Sequence, residues 1–207
     1  MAVTEIAFLH LKVRQPSTAT KTGLREAQQA QSKYSGYPVH FLRQVEDPSY
    51  FYLLGGWESV AIHGGEWITS EINQRLLGKL QVDMDVEWMF HLDVPPSGSL
   101  SNTPLQAPVV MLSRYFVNPS KKAKFDHVFA AGIPALEAST CVSPYFGGWR
   151  IDKDMESENE EFVVLTGWKA IEDFHNFSES MATEQFMVIQ TVATRVETKH
   201  LRLEKWE

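Results

Sequence analysis

A single cysteine, Cys141, stands among 207 residues, so no internal disulfide can form and no oxidising compartment is implied. Metal-ligand spacings are missing too: the chain has no HxH, no HExxH and no Cys-based set, which excludes a structural zinc. It has no GxGxxG fingerprint and no P-loop, which weighs against a nucleotide cofactor. Gly55-Gly56 and Gly147-Gly148 are too short to cradle phosphate and read as strand kinks. Positive charge is in deficit, 19 Lys and Arg against 26 Asp and Glu, and a net charge of −7 argues against nucleic acid as a partner. No apolar run reaches the length of a membrane span, and no signal-peptide pattern opens the sequence. The expectation is a cytoplasmic protein with no membrane partner, no metal and no cofactor.

What the chain does have, it has twice. Phe51-Tyr52-Leu53-Leu54-Gly55-Gly56-Trp57-Glu58-Ser59-Val60 returns as Phe162-Val163-Val164-Leu165-Thr166-Gly167-Trp168-Lys169-Ala170-Ile171. Without a gap, the copies share Phe, Leu, Gly and Trp at matching places. Each is an apolar run of strand length that breaks at Gly-Trp and turns polar, with His63 after the first copy and His175 after the second. A repeat in a chain of this length predicts two units of about 100 residues. Their boundaries are 1–95 and 108–207, joined by a Pro- and Ser-rich linker at 96–107.

The first unit reads strand, helix, strand, strand, helix, strand. Residues 4–13 form a strand with Ala7, Leu9, Leu11 and Val13 on an apolar face and Ile6, Phe8, His10 and Lys12 on a mixed one. A helix over 20–34 stops at Gly36, a strand over 39–45 turns into 51–57, and Thr69 or Ser70 caps a second helix. Residues 82–94 alternate strictly, with Val82, Met84, Val86, Trp88, Phe90 and Leu92 on one buried face. The second unit repeats the order. Its strands are 109–117, 145–152, 162–168 and 196–206, and Lys153–Glu161 forms an acidic turn. Ser120 caps a helix that Pro134 kinks or ends, and a further helix covers 183–193 through Phe186. The last strand alternates poorly, from a bulge or a misplaced boundary. The fold class is α+β: two tandem ferredoxin-like βαββαβ units packed sheet to sheet.

The element order and the segments GWESVAIH and WKAIEDFH resemble the dimeric α+β barrel superfamily, and within it the antibiotic-biosynthesis monooxygenase-like proteins. That resemblance implies a barrel made by two ferredoxin-like units, here an intramolecular pseudo-dimer, with a further homodimer compatible. It also implies a pocket between sheet and helices. Cofactor-free monooxygenases of this kind carry an Asn before the Trp, where this chain has Leu53 and Val164. Haem-degrading relatives use an Asn on the first strand, where this chain offers His10 and, in the second unit, Arg114.

The candidate catalytic residues are His10, His63 and Arg114. His10 lies on the mixed face of its strand, and aligning the first strands of the units sets Arg114 opposite it. An imidazole and a guanidinium so placed give a general base and an oxyanion partner, or each pairs with a local carboxylate. His63 shuttles a proton or ligates haem iron if it lines the pocket, and does nothing if it faces solvent. Phe8, Trp57 and Trp168 are the candidate substrate-binding rings, although both tryptophans equally suit a core corner. Three functions fit these residues. One is an enzyme without metal or flavin acting on an aromatic, polyketide-like small molecule, by oxygenation, cyclisation, decarboxylation or isomerisation. The others are a ligand-binding or stress-responsive module and a haem-binding or haem-degrading protein.

Overall fold

The computed structural model describes residues 1–96, 103–152, 158–179 and 184–206, with residues 143–144 and 184–187 described in backbone alone. Parts of the expected linker (97–102), the acidic turn (153–157), residue 183 and the Phe186 side chain lie outside the described residues. The chain divides into two units, Met1–Ser99 with Arg202–Glu207, and Leu100–Leu201.

The first unit is strand β1 (Val3–Leu11), helix α1 (Thr18–Ser35), β2 (His40–Gln44), β3 (Tyr50–Trp57), α2 (Glu71–Leu80) and β4 (Met84–Leu92). All its strand pairs are antiparallel, in the order β4-β1-β3-β2. Ser17 caps α1 through Thr20 N, and Gly36 closes it in the left-handed region at φ 77°. Ser70 caps α2 by accepting from Asn73 N. A π-helical turn, Ile62–Trp67, precedes α2. Helices α1 and α2 pack together over the face that carries Ala7 and Leu9.

One departure from the expected pattern matters. Strand β4 does not alternate strictly. Phe8 pairs with Trp88 but Leu9 pairs with Val86, so Glu87 is an extra residue, a β-bulge. Before it, Met84 and Val86 point to the helices; after it, Met89 and His91 do, since they pair with Ala7 and Glu5. Trp88 and Phe90 are turned to the other face, where Trp88 meets Phe8 and Tyr52. Val82 and Val86, expected to be buried, are exposed, as is Val13 beyond the end of β1.

The second unit comprises β5 (Val109–Val117), α3 (Lys122–Ser139), β6 (Val142–Trp149), β7 (Glu160–Trp168), α4 (Ile171–Glu179), α5 (Glu184–Val192) and β8 (Arg195–Glu204). Its strands are again antiparallel, ordered β8-β5-β7-β6. Helix α3 runs through Pro134 to Ser139 instead of ending there, which costs it one backbone hydrogen bond. Asn118, not Ser120, caps the 3-10 turn that leads into α3, by accepting from Ser120 N. The β5–β8 register is unbroken from Phe116↔Arg195 to Val110↔Leu201, so over this span the poor alternation of β8 is not a bulge.

The last residues belong to the first unit. Trp206 is buried against Phe41 and Phe51, at ring-centroid distances of 6.0 and 5.3 Å, and the Arg43 guanidinium lies over it. Ala7, Leu9, Leu24 and Leu80 complete this core. Trp206→Ala is therefore expected to destabilise the first unit by about 3–5 kcal/mol in denaturant unfolding.

Candidate functional site: a buried carboxylate beside an apolar cavity

Strand β1 carries Glu5 on the same face as Ala7, Leu9 and Leu11. The helices cover that face, and Glu5 is left 4% exposed. An isolated carboxylate there is costly unless it is hydrogen-bonded. Two N–H groups reach it, both on Oε2: Gln31 Nε2 from α1 at 2.6 Å and Trp57 Nε1 from the end of β3 at 2.7 Å. His63 Nε2 faces the same oxygen at 3.8 Å. Burial raises the Glu5 carboxyl above its ordinary value, while the Trp57 bond, the charge of His91 and the Gln31 bond pull it back.

The π-helical turn turns His63 inward to full burial. Its ring stacks on Trp57 at 4.3 Å with 9° between planes, and its Nδ1 is 2.6 Å from His91 Nε2. His91 reaches this spot because the bulge at Glu87 rotates it onto the face of Glu5, its cross-strand partner. The result is a buried line His91–His63–Glu5. One imidazole must donate in the His63–His91 bond and the other accept.

Beside this line is a cavity of about 120 Å³ with Glu5 and His63 in its wall. The rest of the lining is mainly aliphatic, from Ala7, Leu9 and Leu53 on the sheet to Leu24, Leu77 and Leu80 on the helices. Among the polar lining residues, Gln31 and Asn73 are neutral amides.

The sequence-predicted residues separate. His63 lies in the site, and Trp57 stands behind it as hydrogen-bond donor with one ring face covered by His63. His10 and Phe8 stand on the opposite face of β1, as the two-residue period of a strand demands, and do not line the cavity. His10 stacks on Tyr50 at 4.3 Å and approaches Glu87 at 3.7 Å. Arg114 is taken up by Glu161 and by Glu197 at 3.1 Å. It does not correspond to His10: Val3 pairs with Trp57 and Val109 with Trp168, which matches Arg114 to Phe8 and Phe116 to His10. Trp168 is buried, donates to Thr166 Oγ1 at 2.8 Å and packs on Phe174 and Phe177. Sequence reasoning missed Glu5, Gln31 and His91. The available clue was Glu5 itself, a carboxylate in phase with the apolar face of β1.

Haem does not fit these residues. His63 has one ring nitrogen on His91, the other facing Glu5 and a ring face on Trp57, and His10 lies outside the cavity. The cavity, at about 120 Å³, is also below the ~300–1,000 Å³ of ordinary cofactor pockets. Among the described residues, no group of three or more His, Cys, Asp or Glu is arranged to hold a metal ion, and no helix is long and apolar enough to cross a membrane.

The second unit has a different counterpart. By the same register Glu5 corresponds to Met111, Gly55 to Thr166 and His91 to His200, while Phe174 meets Trp168 edge-on at 5.5 Å where His63 stacks on Trp57. Its cavity, about 70 Å³, has Ser113, Tyr115, Thr166, Ser178, Gln190 and Thr198 in its wall beside apolar residues. Burial pushes the Tyr115 hydroxyl up to about 12, partly offset by its bond with Ser113.

Two outcomes are expected. A Cβ on Gly55 would come within 2.7 Å of Gln31 Nε2 and 3.1 Å of Glu5 Oε2, so Gly55→Thr should displace the pair. The Trp57 indole N–H resonance should shift, and stability should fall by about 1–3 kcal/mol. Because burial raises the Glu5 carboxyl, the folded protein keeps a proton that the unfolded chain releases above about pH 4.3. The contribution of Glu5 to stability therefore falls as pH rises from that value through its raised one, with His63 and His91 the titratable neighbours. Thermal unfolding of Glu5→Gln should show a stability gain over wild type that is largest near neutral pH and shrinks toward pH 4.

No family model and no curated protein matches the chain. Solved structures do. A candidate monooxygenase from Fusobacterium nucleatum subsp. nucleatum superposes with a TM-score of 0.65 at 7% identity, covering 98% of this chain and 92% of that one. An anthrone oxidase-like protein gives 0.65 at 9% identity over 98% and 91%, and a candidate chlorite dismutase gives 0.65 at 11% over 99% and 95%. The likeness spans both units in one polypeptide and lies in the fold: this chain has the dimeric α+β barrel fold in tandem form, as two ferredoxin-like units.

Proposed function

We propose that the first unit is an enzyme site that removes a proton from a small apolar or aromatic molecule held in the 120 Å³ cavity. The observation that carries this reading is the distribution of contacts on Glu5. Gln31, Trp57 and His63 all address Oε2. Oε1 is thereby left to meet a ligand in the cavity that Glu5 lines. A carboxylate raised by burial is a stronger base than one in water, and its neighbours fix its orientation.

In this reading Glu5 Oε1 accepts the proton of an acidic O–H or C–H. His63, with Nε2 facing Glu5 and Nδ1 bonded to His91, can take up that proton and spread the charge over two rings. The substrate anion that results can pass one electron to dioxygen, which opens a cofactor-free oxygenation, or can rearrange. The oxygenase form agrees with the names of the monooxygenase and anthrone oxidase-like neighbours. Trp57 serves as a donor to the base in place of a stacking platform.

The test is dioxygen uptake and product formation across a panel of single-ring phenols and enolisable ketones. Glu5→Gln should lower turnover of whichever compound reacts by roughly 10²–10⁴ while the fold is kept. His10→Ala, on the other face of β1, should keep its rate. Full activity in Glu5→Gln would remove the reading.

A further inference from the structure

The cavity also limits what can occupy it. We propose that its ligand is an uncharged single-ring molecule bearing one weakly acidic hydroxyl, a simple phenol, held with the hydroxyl at Glu5 and the ring among Leu9, Leu24, Leu53 and Leu77. This rests on the reading of Glu5 as a base and names its substrate class.

Three observations carry it. The first is size. A volume of about 120 Å³ is close to that of an engineered apolar cavity of roughly 150 Å³ that takes up benzene, and two fused rings exceed it. The second is polarity. Glu5 and His63 are the ionisable side chains among the lining residues and face each other at 3.8 Å, and the remainder is aliphatic, aromatic, thioether or neutral amide. Among the described lining residues there is no Lys or Arg to pair with a carboxylate or phosphate ligand, which would lose its hydration beside an acidic side chain. The third is where polarity sits. Glu5, Gln31, His63 and Asn73 leave the sheet-side wall of Ala7, Leu9 and Leu53 apolar, which suits a molecule with one polar end. Val86, half-exposed on β4, also lines the cavity and marks the side open to solvent.

Binding tests this independently of turnover. The full chain is titrated by calorimetry with phenol, benzoate and 1-naphthol. Phenol should bind saturably at one site, with benzoate and 1-naphthol each at least about tenfold weaker. Ala27→Phe, one turn before Gln31 on α1, fills the cavity and should abolish phenol binding. Leu77→Ala, a half-buried position on α2, should admit 1-naphthol. Benzoate binding as tightly as phenol, phenol binding unchanged in Ala27→Phe, or no phenol binding at all would each overturn the assignment. If phenol binds as expected and nothing is turned over, the catalytic reading fails and the ligand class stands. If another compound is turned over through Glu5 and phenol does not bind, the reverse holds.

Discussion

The first unit depends on how one buried carboxylate is hydrogen-bonded. Burying an ionisable group in an apolar layer is expensive, and each unmade hydrogen bond on it adds about 1–3 kcal/mol. Around Glu5 two elements meet that demand, α1 through Gln31 and the end of β3 through Trp57, while the π-helical turn sets the His63 ring 3.8 Å from the same oxygen. Each donor constrains its own element. Gln31 fixes the rotation of α1 over the sheet, and the indole of Trp57 fixes the corner at which β3 leaves it. Gly55, directly across from Glu5, supplies the space in which the amide and carboxylate meet. A buried ionisable group held this way is costly to stability.

The second unit solves the same corner without a charge. A buried tryptophan N–H needs an acceptor wherever it occurs. Trp57 finds it in Glu5, and Trp168 finds it in Thr166, at the position equivalent to Gly55. Once a threonine fills that space, the equivalent of Glu5 can be apolar, and it is Met111. The ring that meets the tryptophan can be apolar too, and it is Phe174, set edge-on. His200 remains at the position of His91, near Phe174 and His175. The two units thus keep a tryptophan corner in common and differ in whether a buried carboxyl or a threonine hydroxyl accepts from it.

This explains which parts were legible in the sequence. The fold was, because strand alternation, caps and the Gly-Trp repeat are local patterns written twice; Ser70, Gly36 and the run from Val109 to Val117 fall where the pattern puts them. The site was not, for three physical reasons. Attention to the mixed face of β1 selects His10, whereas the polar group that matters is Glu5 on the apolar face. Strand beginnings are a poor ruler, so Arg114 aligns with His10 by eye but with Phe8 by hydrogen-bonded register. And His91 sits in the polar phase of β4, so alternation alone sends it to solvent.

The bulge is what reverses that last inference. With strict alternation Met84 and Val86 would share a face with Trp88 and Phe90, and His91 would stand on the other. The helix face would then receive two large aromatic rings where the cavity now lies. One extra residue at Glu87 exchanges the two sets halfway along the strand. It moves Trp88 and Phe90 to the aromatic face with Phe8 and Tyr52 and brings Met89 and His91 beneath the helices. The exchange frees volume and sets His91 against His63 at one stroke, because methionine and histidine are slimmer than the rings they replace. Bulges alter side-chain direction without changing strand order. That is why the cavity and the His91–His63 contact arise in a sheet whose topology is otherwise the ordinary ferredoxin-like one.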